Sequence, residues 1–245
     1  MTSQASRAAS VVPPVAPAPC SPVPATRAEL ASRPVVLFDF DGTLADTKPG
    51  IVATARATLS EWGMTEAEMG DLTRLIGPPF PYAYCDVYGM SREDAEEVSR
   101  RYSARYAKLG PAGAPLFPGM AELLRDLSAS GRTLAVASSK AQVTCEEMLV
   151  AHGVRGLFAA VVGKRDPEHA QKDVLVGMAL EELVAAPADA VMVGDRFYDV
   201  RGAAANGVPC VGVCYGGTGT REELVGAGAA AVAASVAELR SVLMG

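Results

Sequence analysis

From residue 35 onward, short and nearly continuous apolar runs alternate with segments whose apolar positions recur every three or four residues. The runs occupy 35–40, 133–138, 159–163, 190–194 and 209–213, with a weaker one at 229–233. They are short for helices and lack polar alternation, so strands buried on both faces are predicted. Helical spacing covers 119–130, 141–152, 171–182 and 200–206, and Ser235-Val-Ala-Glu238 has the form of a capping box opening a last helix. Strands that alternate with helices predict an α/β fold, a parallel sheet with helices on both faces.

The alternation breaks once. Between Asp46 and Pro118 only helical patterns occur, clearest over 91–109, where Ala95, Val98, Tyr102, Tyr106 and Leu109 share a face and Ser91 with Asp94 caps the start. This stretch is too long for a loop in a compact domain. It is expected to be a small all-helical domain, 48–117, inserted after the first strand of a core formed by 34–47 and 118–245. Such an insert sits over the carboxyl edge of the sheet, where open α/β sheets bind ligands. Trp62 and the tyrosines of the insert are expected to fill its core.

Composition separates the N-terminus from the rest. Seven of the 17 prolines fall at or before Pro34, among many Ala and Ser. Residues 1–33 are therefore expected to form a disordered Pro/Ala-rich extension. Prolines at 13, 14, 17 and 19 interrupt any signal-peptide core. The net charge of −6 and the lack of a basic cluster argue against a nucleic acid polymer as partner. No apolar run approaches the roughly 20 residues of a membrane span. Five scattered cysteines (20, 85, 145, 210 and 214) show no zinc spacing, and reduced thiols in a cytoplasmic protein are expected.

Polar residues at the strand ends suggest the chemistry. Asp39 and Asp41 close the first strand, Ser138 the second and Asp195 the fourth, with Asp199 four residues on; Lys172 opens the helix after the third. Carboxyl ends of parallel strands converge, so these residues can meet around one ligand. A carboxylate such as Asp39 can attack phosphorus and form an aspartyl-phosphate. Asp41 can protonate the leaving oxygen and later activate water. Asp39 and Asp195 are hard oxygen ligands of the kind magnesium takes. Ser138 can donate to phosphoryl oxygens, and Lys172 adds positive charge. Lys164, nearer the end of the third strand, rivals Lys172. Gly42 permits a sharp turn whose N–H groups can face phosphate. Lys48, Arg74 and the Gly77-Pro78-Pro79 turn are substrate-contact candidates by location. His152 is expected at a helix end and His169 in a loop.

Asp39-Phe40-Asp41-Gly42-Thr43-Leu44, Ser138-Ser139-Lys140 after an apolar run, Lys172, and Gly194-Asp195-Arg196-Phe197-Tyr198-Asp199 together resemble the four motifs of the haloacid dehalogenase-like superfamily. Asp46 to Ile51, Leu75 to Pro79 and the segment through Tyr215-Gly216-Gly217 resemble its phosphoglycolate phosphatase and 5′-nucleotidase branch. The resemblance implies a Rossmann-like core with a helical cap and a magnesium ion on Asp39, Asp41, Asp195 and Asp199. It also implies phosphate contacts from Gly42, Ser138, Ser139 and Lys172. The implied activity is hydrolysis of a small phosphorylated metabolite. A phosphomutase, a pyrophosphatase or a non-catalytic phosphate-binding module are the alternatives. Asp41 argues against a dehalogenase, which has no use for a second acid.

Overall fold

The structure is a computed structural model that describes residues 21–76, 78, 80–110, 113–166 and 171–245. Its elements run α1 (Arg27–Ser32), β1 (Val35–Phe38), α2 (Lys48–Trp62), α3 (Glu66–Met69), α4 (Tyr82–Tyr88), α5 (Arg92–Tyr106), α6 (Met120–Ala129), β2 (Thr133–Ala141) and α7 (Gln142–Ala151). They continue with β3 (Phe158–Lys164), α8 (Lys172–Leu183), β4 (Ala190–Gly194), α9 (Phe197–Ala205), β5 (Cys210–Val213), α10 (Arg221–Ala227), β6 (Ala231–Ala233) and α11 (Val236–Met244).

Among the described residues the strands form one parallel six-stranded sheet in the order β3-β2-β1-β4-β5-β6. The apolar runs read as they do because both faces are covered. Val36 and Phe38 of β1 pack with Leu123, Leu124, Leu149 and Leu239 on one face. Val35 and Leu37 pack with Leu175, Val176, Ala179 and Ala203 on the other. Burying one such side chain fully contributes about 1.5–3 kcal/mol, so no polar residue is tolerated within β1. The chain order reverses at β1, which pairs with β2 on one side and β4 on the other. That reversal opens a crevice at the carboxyl ends, the usual ligand site of an open α/β sheet.

Between β1 and β2 the described residues hold helices and two isolated bridges, Asp41 to Ala45 and Ala45 to Leu116, but no strand. Helix α5 spans the predicted stretch as far as Tyr106 and buries Ala95, Val98, Tyr102 and Tyr106. These residues join Leu59, Leu72, Leu75 and Ile76 in the same apolar cluster that covers one face of the sheet. Trp62 packs against that cluster under the Arg101 guanidinium, 5.1 Å from the ring centroid.

The expectation of a disordered extension through residue 33 is corrected for its last part. Residues 27–32 form α1, opened by a capping box of Thr26 and Glu29, and Leu30 is completely buried. One buried leucine and a satisfied N-terminus outweigh the proline-rich composition around them. Residues 1–20, with Cys20, lie outside the described residues, as do His169, Gly77 and Pro79. The four described cysteines are free thiols. Among the described residues no helix is long and apolar enough to cross a membrane.

Candidate active site

The floor of the crevice is built at the ends of the three central strands. Asp39 follows β1 and donates its backbone N–H to the Val193 carbonyl (2.9 Å), which fixes it against β4. Asp195 follows β4 directly. Lys172 opens α8, which packs on α9 and beneath β2 and β3, so its side chain reaches inward under the sheet edge. Its Nζ lies 2.8 Å from Asp39 Oδ1, 2.8 Å from Asp199 Oδ1 and 3.1 Å from the Ala137 carbonyl. Asp39, Ser138, Lys172, Asp195 and Asp199 are all buried. One oxygen from each of Asp39, Asp195 and Asp199 lies within 4.8 Å of the others. Burial alone would depress the Lys172 ammonium, but the Asp199 and Asp39 carboxylates overcome it and hold it above the usual lysine range. Burial, then Asp199 and Asp39, push the Asp195 carboxyl well up. Three carboxylates with one lysine carry excess negative charge, which a proton or a cation relieves.

Asp41 stands apart from this cluster. Its carboxylate accepts from Lys140 Nζ at 2.9 and 3.3 Å, and Lys140 also lies 3.4 Å from Tyr106 Oη and over the Tyr106 ring. Burial works against the Lys140 charge, yet Asp41 and Tyr106 raise it above the usual range. Asp41 thus lines the wall of a cavity of about 260 Å³ whose other linings include Asp39, Ser138, Ser139, Phe80 and Tyr102. Beyond Ser138 the register of β2 against β3 shifts, so the strand runs irregularly to Ala141 instead of ending at 138. The Ser138 hydroxyl accepts the Lys140 N–H at 3.3 Å within that irregularity.

Several expectations are corrected. Gly42 does not offer its N–H to a ligand, because that group donates to the Ala45 carbonyl at 3.0 Å and closes the turn. What the site needs there is the missing side chain. The Gly42 φ of 74° is left-handed, and a Cβ would lie 2.8 Å from Asp195 Cγ and against Asp195 Oδ2. Gly42→Ala is expected to cost about 1–2 kcal/mol for the backbone alone and to displace Asp195. A lowered melting temperature together with reduced turnover checks this. Lys48 donates to the Gly217 carbonyl (2.7 Å), and Arg74 is exposed; neither lines the cavity. Lys164 does line it, but its Nζ donates to the Phe80 carbonyl (2.8 Å), whereas Lys172 holds Asp39. Asp199 combines two roles, pairing with Lys172 and accepting the Arg196 N–H that opens α9 (3.0 Å). His152 closes α7 as expected and contacts the Ala114 carbonyl at 2.9 Å.

Sequence reasoning missed three participants. Lys140 was visible only as the third residue of a motif, not as the partner of Asp41. Thr218 donates its hydroxyl to Asp195 Oδ2 from the glycine-rich 216–219 turn. Glu223 accepts from Arg196 Nε and from the Phe197 N–H, both at 3.0 Å. The helix bearing Glu223, α10, carried a readable signal, since the Thr220 hydroxyl accepts the Glu223 N–H.

The family described as haloacid dehalogenase-like hydrolase matches residues 36–213. This chain belongs to it. As a haloacid dehalogenase-like hydrolase, the chain is 35% identical over 211 residues to a 5′-nucleotidase of Pseudomonas aeruginosa, covering 86% of this chain and 95% of that one. It is 40% identical over 187 residues to tyrosine-protein kinase PtkA of Mycobacterium tuberculosis, covering 76% of this chain and 63% of the kinase. A predicted phosphatase from Clostridium acetobutylicum superposes with a TM-score of 0.81 at 33% identity, over 85% of this chain and 96% of that one. With these relatives, the haloacid dehalogenase-like chain is an enzyme of the phosphatase kind.

Proposed function

We propose that this protein is a magnesium-dependent phosphomonoester hydrolase that carries the phosphoryl group on Asp39. The observation that carries this reading is the placement of Asp39. It is bound by Lys172 at 2.8 Å, clustered with Asp195 and Asp199, and opens into a cavity that Asp41 and Ser138 also line. The all-oxygen donor set and its surplus negative charge fit a hard divalent cation. Asp39, Asp195 and Asp199 would hold it. Because the Asp41 carboxylate is taken by Lys140, only its main-chain carbonyl is left to contribute. When bound, magnesium neutralises charge on the phosphoryl oxygens and lets an anionic nucleophile approach.

The residues then divide the work. Asp39 attacks phosphorus and the bond to the leaving oxygen breaks; Asp41, released from Lys140 and protonated when substrate binds, gives that oxygen its proton. Asp41 next takes a proton from the water that attacks the aspartyl-phosphate, which frees phosphate and returns Asp39. Lys172 neutralises Asp39 and the phosphoryl group, and the Ser138 hydroxyl donates to a phosphoryl oxygen. The helical insert acts as a cap that keeps bulk water from this intermediate. The leaving half is a small metabolite such as phosphoglycolate or a nucleoside monophosphate, in keeping with the modest cavity and the names of the relatives.

Release of inorganic phosphate from p-nitrophenyl phosphate tests this. Treatment with EDTA is expected to lower the rate about 100-fold or more, and added magnesium to restore it. Undiminished turnover after EDTA, or none from the magnesium-loaded protein, would sink the reading.

A further inference from the structure

Three lysines line the cavity, and they differ in their counter-charges. Lys172 pairs with Asp39 and Asp199, and Lys140 with Asp41. Lys164, the last residue of β3, is half-buried, and among the described residues it donates to one neutral group, the Phe80 carbonyl. Among the described residues no carboxylate lies within ion-pair distance of it. Burial pushes its ammonium below the usual lysine range, and no acid among the described residues offsets this. The remaining cation of the lining, Arg196, is committed to Glu223 and to the Ile76 carbonyl. Glu147, the one acid of the described lining outside Asp39, Asp41, Asp195 and Asp199, is exposed.

We propose that Lys164 binds a second anionic group on the leaving half of the substrate, a carboxylate or another phosphate. It would thereby select phosphomonoesters that carry an additional acid. This rests on the phosphatase reading above. An ammonium has three donors and the Phe80 carbonyl uses one, so further donors can serve a ligand. β3 lies two strands from β1, which at ~4.8 Å per strand is about 10 Å, a distance that a short-chain metabolite and the lysine side chain can bridge between them. The insert's part of the lining includes the apolar and aromatic side chains of Phe80, Tyr102, Leu75 and Ile51. Such a wall strengthens a charge pair that forms against it. The rival role is a latch, in which Lys164 merely ties β3 to the insert through Phe80.

Matched substrates separate the two. Steady-state kinetics would compare 3-phosphoglycerate with glycerol 3-phosphate, and fructose 1,6-bisphosphate with fructose 1-phosphate, in wild type, Lys164→Met and Lys164→Arg. The wild type is expected to favour the more acidic member of at least one pair by about tenfold or more in kcat/KM. Lys164→Met should abolish that preference, chiefly through KM, and Lys164→Arg should keep part of it. The pair that shows the preference tells carboxylate from phosphate. Hydrolysis without any preference, or a Lys164→Met variant whose preference is unchanged or whose losses are equal for both members, overturns the proposal and leaves the phosphatase reading standing. If the wild type hydrolyses none of these and no p-nitrophenyl phosphate, both readings fall together.

Discussion

Asp39→Asn is expected to lower phosphate release from p-nitrophenyl phosphate by about 10⁴-fold or more. The amide keeps the size of the carboxylate and an oxygen that can still accept from Lys172 Nζ, which lies 2.8 Å from Oδ1 in the wild type. The surrounding fold has no reason to rearrange. What is lost is nucleophilicity: the amide nitrogen is nearly non-basic, and its oxygen carries no full charge to direct at phosphorus. The covalent step is then unavailable, and only water attacking from a site shaped for a carboxylate remains. Acid-quenched protein from wild-type reactions with labelled substrate should retain phosphate, and the variant should not. A variant that turns over within tenfold of wild type would remove Asp39 from the nucleophile role.

The second large effect is on stability. Lys172→Met removes the only ammonium among the described residues that touches Asp39 and Asp199, at 2.8 Å each, while keeping most of the side-chain volume. Breaking a buried pair by deleting one partner typically costs about 3–5 kcal/mol, because the other charge stays buried. Here three carboxylates are left crowded together. Urea unfolding without metal is expected to show a loss of that size. Magnesium should then raise the stability of the variant more than that of wild type, because it becomes the sole counter-charge of the cluster. Turnover should also fall by about 10²–10³-fold, the usual scale for deleting one group that stabilises transferring charge. A metal-free variant as stable as wild type would mean that the ion pairs make no net contribution.

The strands were legible because a sheet covered on both faces admits almost no polar residue, so each strand stands out as an unbroken apolar run between polar ends. The residues at those ends were legible for the same reason: Asp39, Ser138 and Asp195 mark where the apolar runs stop and buried polar side chains begin. Partnerships were not legible. Lys140 meets Asp41 from 99 residues away, and the Tyr215 hydroxyl reaches the Thr43 carbonyl from 172 away. No local periodicity encodes such distances, which depend on strand order and on how α8 and the glycine-rich turn approach the sheet. Helix α1 was hidden by composition, since its capping box and one buried leucine sit among alanines and prolines. The role of Gly42 was misread because a glycine in a phosphate-type motif suggests a donor, whereas the space it leaves for Asp195 decides its identity.

Three contacts that join the sheet edge to the helical insert share one arrangement. Lys140, Lys164 and Arg196 each donate from the core to an acceptor on the insert: the Tyr106 hydroxyl, the Phe80 carbonyl and the Ile76 carbonyl. The same three cations line the cavity. An opening of the insert away from the sheet edge would break these three contacts and expose the three cations to water. With the phosphoryl group carried on Asp39 as proposed, the same contacts would hold the insert over it, and the rate of product release would depend on how readily they break.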